Sequence, residues 1–306
     1  MQKTPFFETD RLEFCADMRN KQFAALVACL ALYAAGRICQ IFPERFPSLF
    51  IVLLNVVPAA LFAIVHGWMV YGRKGVFAFC SFCIGIGAVA EYLGLNTGFP
   101  FGHYFFTGLM GPKVFELPVL LALAYLGMGY ASWTVALLIL NAHQRPLGGA
   151  RLAGVPVLAS AAMVIWDVAM DPQWALVDGG WVWKDGGAYY GVPLSNFAGW
   201  FGAALVYYMA FAFWCRGRSL SPATVPNRVW SAGVALYALC AAGNALILRS
   251  PTSSALVSDA TGKQWATMDI LEASVLVSLL LMLPLAVTAW LRLREGPQSA
   301  LADEGS

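Results

Sequence analysis

Residues 150–172 read ARLAGVPVLASAAMVIWDVAMDP. From Ala150 to Met170 nearly every position is apolar, and a run of about 20 such residues is long enough to cross a bilayer as a helix. Asp167 and Asp171 stand in its last turns. Spaced four apart, they share one helical face, one turn from each other. Pro172 is expected to help end the helix. Ionisable groups within a bilayer are costly, so they usually face a bundle interior and mark a site.

Outward from this helix the apolar pattern recurs. Spans are expected over roughly 22–42, 49–72, 75–96, 117–141, 150–171, 194–215, 228–248 and 267–291. The fold class is therefore all-α: a polytopic membrane helix bundle of about eight transmembrane helices. Residues 1–21 read as a cytoplasmic N-terminal segment, 22–293 as the membrane catalytic domain and 294–306 as a disordered tail. Pro58 and Pro284 are candidate kinks, which membrane helices tolerate. With both termini inside, thirteen of the nineteen Lys and Arg fall on the inner side and six on the outer. That asymmetry fits the positive-inside rule and a multi-pass protein of the cell membrane.

Composition agrees. The chain is 59% hydrophobic and 12% charged, with a mean hydropathy of +0.67, whereas a soluble domain carries about 25% charged residues. The net charge of +2 does not point to nucleic acid, and membrane lipid is the expected surrounding partner. Residues 1–21 mix acids and bases and do not read as a secretory signal peptide. The seven scattered cysteines suggest no disulfide framework, and Cys80-x-x-Cys83 lacks a second ligand pair, so no metal is expected.

Glu91, Asp167 and Asp171 each lie within a span, and Asp269 and Glu272 begin the last one. All fall at the same end of their helices, which predicts one polar pocket near one face of the membrane. Two carboxyls four residues apart in a low-dielectric site do not both ionise cheaply, so one tends to keep a proton and is a competent general acid. The structural alternative is a water-exposed pair, or one that caps loop amides. Glu91 reads equally as a site residue or as a structural ion pair with Arg37, which lies at similar depth. Asp269 suits a first-turn position, and Glu272 is ambiguous. Of the three histidines, His66, His103 and His143, only His103 is placed to join the carboxylates.

Two loops follow the carboxylate-bearing helices. Residues 98–116 and 171–193 are rich in Gly, Pro and aromatics and suggest a lid or pocket wall. Aromatic faces attract cations, so Trp166, Trp174 and nearby tyrosines beside acids suit the protonation of an alkene and the holding of a carbocation. Trp181 and Trp183 fit interfacial anchoring better. No nucleotide-binding, metalloprotease or Ser/His/Asp pattern is present in the sequence.

EYLGLNTGFPFGHYFFTGLMGPKVFELPV (91–119) and WDVAMDPQWALVDGGWVWKDGGAYYGVPLSNFAGWF (166–201) resemble signatures of the CruF-type carotenoid 1′,2′-hydratase family. The resemblance spans about 75–215. One departure is Ala124-Tyr125, where Ala-Trp is expected. The resemblance implies cofactor-independent addition of water to the terminal isoprene double bond of an acyclic carotenoid, giving a tertiary alcohol. Its acidic positions are Glu91, Asp167 and Asp171. Its loop positions include Phe101, Gly102, Tyr104, Pro172, Trp183, Tyr190, Asn196 and Trp200. A carotenoid is then the expected substrate, and other carotenoid biosynthesis enzymes are plausible partners. The competing readings are a magnesium-dependent intramembrane prenyltransferase, on the Asp167-xxx-Asp171 spacing, and a lipid, carotenoid or proton-coupled transporter.

Overall fold

The computed structural model describes residues 6–143, 146–216, 225–249 and 255–295, with side chains from residue 17 onward. Helices dominate: α1 (Phe6–Cys39), α2 (Ser48–Thr97), α3 (Val119–Ile139), α4 (Ala150–Pro172), α5 (Leu194–Cys215), α6 (Asn227–Leu246), α7 (Thr267–Val277) and α8 (Leu283–Glu295). A π-helical turn, Ser278–Met282, joins α7 to α8. Among the described residues seven helices are long and apolar enough to cross a membrane, with Thr267–Glu295 taken as one.

The expected count of eight differs by one because 48–97 is assigned as a single helix. At Gly72 that helix is not helical: φ is 68° and ψ −179°. The chain turns back there. The rings of His66 and Phe79 both pack on Tyr130, with centroids 5.4 and 5.3 Å away. Thirteen residues of straight helix would hold those two rings about 20 Å apart along the axis. α2 is thus a hairpin of two crossing arms, so the bundle has eight crossing segments, as the apolar pattern predicts.

α3 is the central helix. Its most apolar stretch is 83% buried, against 28–56% in the other crossing helices, as expected of a helix that is hydrophobic all round. Outer faces carry exposed Phe77, Val89, Val206 and Leu280, which a bilayer would cover. α1 runs unbroken from Phe6 through residue 21, so a separate segment 1–21 is not marked by a break in the helix. The expected tail 294–306 lies, after Glu295, outside the described residues.

Pro172 does not end its helix. A π-helical turn, Gln173–Val177, continues α4 by five residues. Pro58 lies inside the first arm of α2, and Pro284 follows the π-helical turn into α8. Three short antiparallel pairs complete the fold: β1 (Tyr104–Phe106) with β4 (Trp181–Trp183), β2 (Lys113–Val114) with β3 (Leu117–Pro118), and β5 (Leu256–Ser258) with β6 (Gln264–Ala266).

Candidate functional site

The two aromatic loops pair with each other. β1 and β4 are antiparallel, with Tyr104 opposite Trp183 and Phe106 opposite Trp181. Strand side chains alternate between faces. All four of these rings are therefore turned inward and buried, while Phe105 between them is exposed. The amide of Lys184 donates to the His103 carbonyl and that of Thr107 to the Gly180 carbonyl, extending the pair at both ends. The expected pocket wall is thus a two-stranded lid built from both loops.

Beneath it lie the three carboxylates. Glu91, Asp167 and Asp171 are each at most 4% exposed, and all three line one cavity of about 20 Å³. That is room for about one water molecule. α4 supplies both aspartates from one face, and Asn196 in the first turn of α5 bridges them. Its Nδ2 donates to Asp167 Oδ2 at 3.0 Å and to Asp171 Oδ2 at 2.7 Å. Asp171 Oδ1 accepts two indole N–H groups, from Trp181 at 2.8 Å and Trp183 at 3.2 Å. Glu91, on the second arm of α2, accepts the hydroxyl of Tyr104 on Oε2 and that of Tyr125 on Oε1, the latter at 2.5 Å. A side chain at Gly94, one turn beyond Glu91, would strike Phe101 and the Tyr104 hydroxyl. The missing Cβ there is what lets the loop reach Glu91.

These donor counts divide the carboxyls. Asp171 accepts three N–H bonds and Glu91 two O–H bonds, whereas Asp167 accepts one. A carboxylate offers about four lone-pair sites, and each N–H or O–H donor stabilises its charged form. Asp167 keeps the most capacity to carry its own proton. Trp200 closes the cavity, stacked 4.9 Å from Phe101 and tilted 4.3 Å from Tyr125.

Several expectations change. Arg37 does not pair with Glu91; its guanidinium donates to Asn244 Oδ1 and to the Cys240 carbonyl. Asp269 and Glu272 are exposed and outside the cavity, with Asp269 in the first turn of α7. They begin their span at the right end but point away from the axis. His103 is on the surface, 2.8 Å from Asp185, because alternation along β1 turns it opposite to Tyr104. Tyr190 packs against Tyr189 and Trp265, away from the cavity. Trp181 and Trp183, expected as interfacial anchors, are buried donors to Asp171. Trp166 and Trp174 line a neighbouring, larger chamber, and Trp174 stacks on Trp181 at 6.3 Å. Phe101, Tyr104, Asn196 and Trp200 are at the cavity, as are the three acids. Tyr125 and Phe106 join them without having been singled out for it. No alternation in the sequence marked the lid, because Tyr104–Phe106 and Trp181–Trp183 are apolar or aromatic at every position, and Tyr125 did not stand out, because α3 also carries Tyr130, Ser132 and Thr134.

A model of the carotenoid biosynthesis protein family matches residues 48–258, more than half of the chain. The protein belongs to that family. Comparison with curated proteins and with solved structures found no match to either. The matched region of this carotenoid biosynthesis protein contains Glu91, Asp167, Asp171 and both strands of the lid. α1, α7 and α8 lie outside it, as do Arg37, Asp269 and Glu272.

Proposed function

We propose that this protein is a carotenoid 1′,2′-hydratase, adding water across the terminal isoprene double bond of an acyclic carotenoid end. The observation that carries the reading is the water-sized cavity lined by three buried carboxylates beneath an aromatic lid. Asp167, with the fewest donors, gives its proton to C2′ of the chain end, and the π electrons of the double bond form the new C–H bond. The lid side chains give way to admit the chain end beside the water, and the tertiary cation left at C1′ then faces the ring of Trp200 and the charge of Asp171, both favourable to a cation. Asp171 is held in place by Trp181, Trp183 and Asn196. Water in the cavity attacks C1′ and passes a proton to Glu91, whose position is set by Tyr104 and Tyr125. Return of that proton to Asp167 through the next water closes the cycle, so one water is added and no redox partner is needed. The lid excludes bulk water, which would otherwise screen the charges that stabilise the cation. The reading places the carboxylate end at the outer face of the cell membrane, following the distribution of basic residues.

The prenyltransferase alternative draws less support. Both oxygens of Asp171 are occupied by N–H donors, so magnesium would have to displace them. The test is expression in a host that accumulates acyclic carotenoid, beside Asp167→Asn and Glu272→Gln. A pigment heavier by one water is expected in the wild type and in Glu272→Gln, strongly reduced in Asp167→Asn, and unaffected by chelator in membranes. Undiminished hydration in Asp167→Asn would overturn the assignment of the acid, and chelator-sensitive consumption of a prenyl diphosphate would overturn the hydratase reading.

A further inference from the structure

The carboxylate cavity has room for about one water, and hydration consumes one water per turnover. The next must arrive while the lid keeps bulk water out. Beside the cavity lies a chamber of about 310 Å³, and the two share three lining side chains, Leu121, Met170 and Trp181. At the density of liquid water the chamber has room for about ten molecules.

Its lining calls for water. Arg37, Gln40, Asn55, Gln173, Asp178 and Asn244 all belong to it. Arg37 is only 8% exposed, and its guanidinium is permanently charged. The acceptors it finds, Asn244 Oδ1 and the Cys240 carbonyl, are neutral. Among the described residues no carboxylate forms an ion pair with it. A buried cation with no counter-charge is costly in apolar surroundings, so this one has to be solvated from the chamber. Asp178, held by Gln173 at 3.2 Å, lines the same chamber, and water there serves both charges. Pro43, Ser48 and Asp178 are exposed and mark where the chamber meets the surface. A hydrocarbon chain in the same space would strip Arg37 of its solvent.

The shared wall is not equally firm. Trp181 is pinned by its N–H bond to Asp171 and by stacking on Trp174. Met170, next to Asp171 in α4, is unbranched with three rotatable bonds and is the part that swings most easily. We propose that the chamber is the water supply of the carboxylate cavity, feeding it past Met170 while the lid stays closed. The proposal deepens the hydratase reading and rests on it.

The test follows the fate of the cation in D₂O, with the full chain purified in detergent and an acyclic carotenoid as substrate. The acid, exchanged to deuterium whenever a new chain is admitted, adds D⁺ to C2′. The C1′ cation then takes one of two courses. It bonds to water, which gives up its own proton, and an alcohol with one carbon-bound deuterium results. Or it loses a proton from an adjacent methyl to a carboxylate, and an alkene with one deuterium results. Their ratio, read by mass spectrometry, measures how readily water reaches the cation, and a loss of folded protein does not move it. Ser48→Cys, in a background without native cysteines, is labelled after purification with either a small methylthio group or a bulky maleimide. The bulky label is expected to raise the ratio of deuterated alkene to alcohol about tenfold, and the small one to leave it unchanged. Val56→Phe, which fills the chamber from the first arm of α2, is expected to act as the bulky label does. If the bulky label lowers both products together, the chamber seats the chain instead; if it changes neither, water enters with the lid open. Either result overturns the proposal and leaves the hydratase reading standing. Formation of neither product by the unlabelled wild type would overturn the hydratase reading, and the proposal with it.

Discussion

Asn196 holds two carboxyls with one amide nitrogen, at 3.0 and 2.7 Å. Its removal leaves Asp167 and Asp171 one turn apart with nothing between them. Asn196→Leu is therefore expected to cost hydration activity nearly as much as loss of an acid, about 10²–10⁴-fold for a general acid–base group. The readout is product formed per unit of membrane protein. Tyr104→Phe and Tyr125→Phe each take one of the two donors from Glu91. Each should lower the rate with substrate binding little changed, and the double variant should lose less than the product of the two losses, because both act through one carboxylate. Additive effects would place the two tyrosines in separate roles. Burial and the adjacent Glu91 hold the Tyr104 phenol protonated far above neutral pH, so it remains a donor to Glu91 throughout the working range. The acids were legible in the sequence because a charge in an apolar run is conspicuous. Among the aromatic groups that hold them, Tyr104 and Trp183 entered only through the family resemblance and Tyr125 and Trp181 were not singled out as holders, since an aromatic residue in a membrane protein has many uses.

The turns and lids behave as units. Gly72 adopts φ 68° with ψ −179°, a backbone region essentially restricted to glycine, and no atom stands where its Cβ would be. Gly72→Ala should therefore cost stability through backbone strain alone, about 1–3 kcal/mol. A lowered thermal midpoint in detergent would show it, and an unchanged one would mean the hairpin relaxes around it. The loop between α3 and α4 carries its own pH dependence. Burial lowers the His143 imidazole from 6.5 to about 4, so between those values the unfolded chain binds the proton more readily. Its contribution is present above about pH 6.5 and is lost as the pH falls toward 4. Thermal unfolding at pH 7 and pH 5 should show a drop that His143→Leu reduces. The β1–β4 lid could be read in advance only as two unusual loops. The alternation of inward and outward side chains along YFF and WVW, and the pairing of one loop with the other, follow only from the strand register.

Across the whole molecule, the carboxylate cavity and its lid lie at one end of the bundle, and the α3–α4 loop lies at the other. In a background without native cysteines, an impermeant thiol reagent applied to intact cells is expected to label His103→Cys and to spare Gly148→Cys until the cells are opened. Labelling of both from one side would overturn the alternating path of the helices. By itself the sequence determined the all-helical membrane class, the positions of the crossing segments and the three acids at one end of their helices. Bilayer thickness and the cost of buried charge constrain those locally, span by span. Contacts between distant segments were decided only in three dimensions. Glu91 takes its partners from the loop after α2 and from α3, rather than from Arg37. Asp171 is held by the loop that follows its own helix and by Asn196 of α5. Asp269, Glu272 and His103, at the same end by sequence, turn outward. Depth along a helix follows from counting residues, but the direction a side chain faces depends on how the helices pack around α3, and that is a property of the assembled bundle.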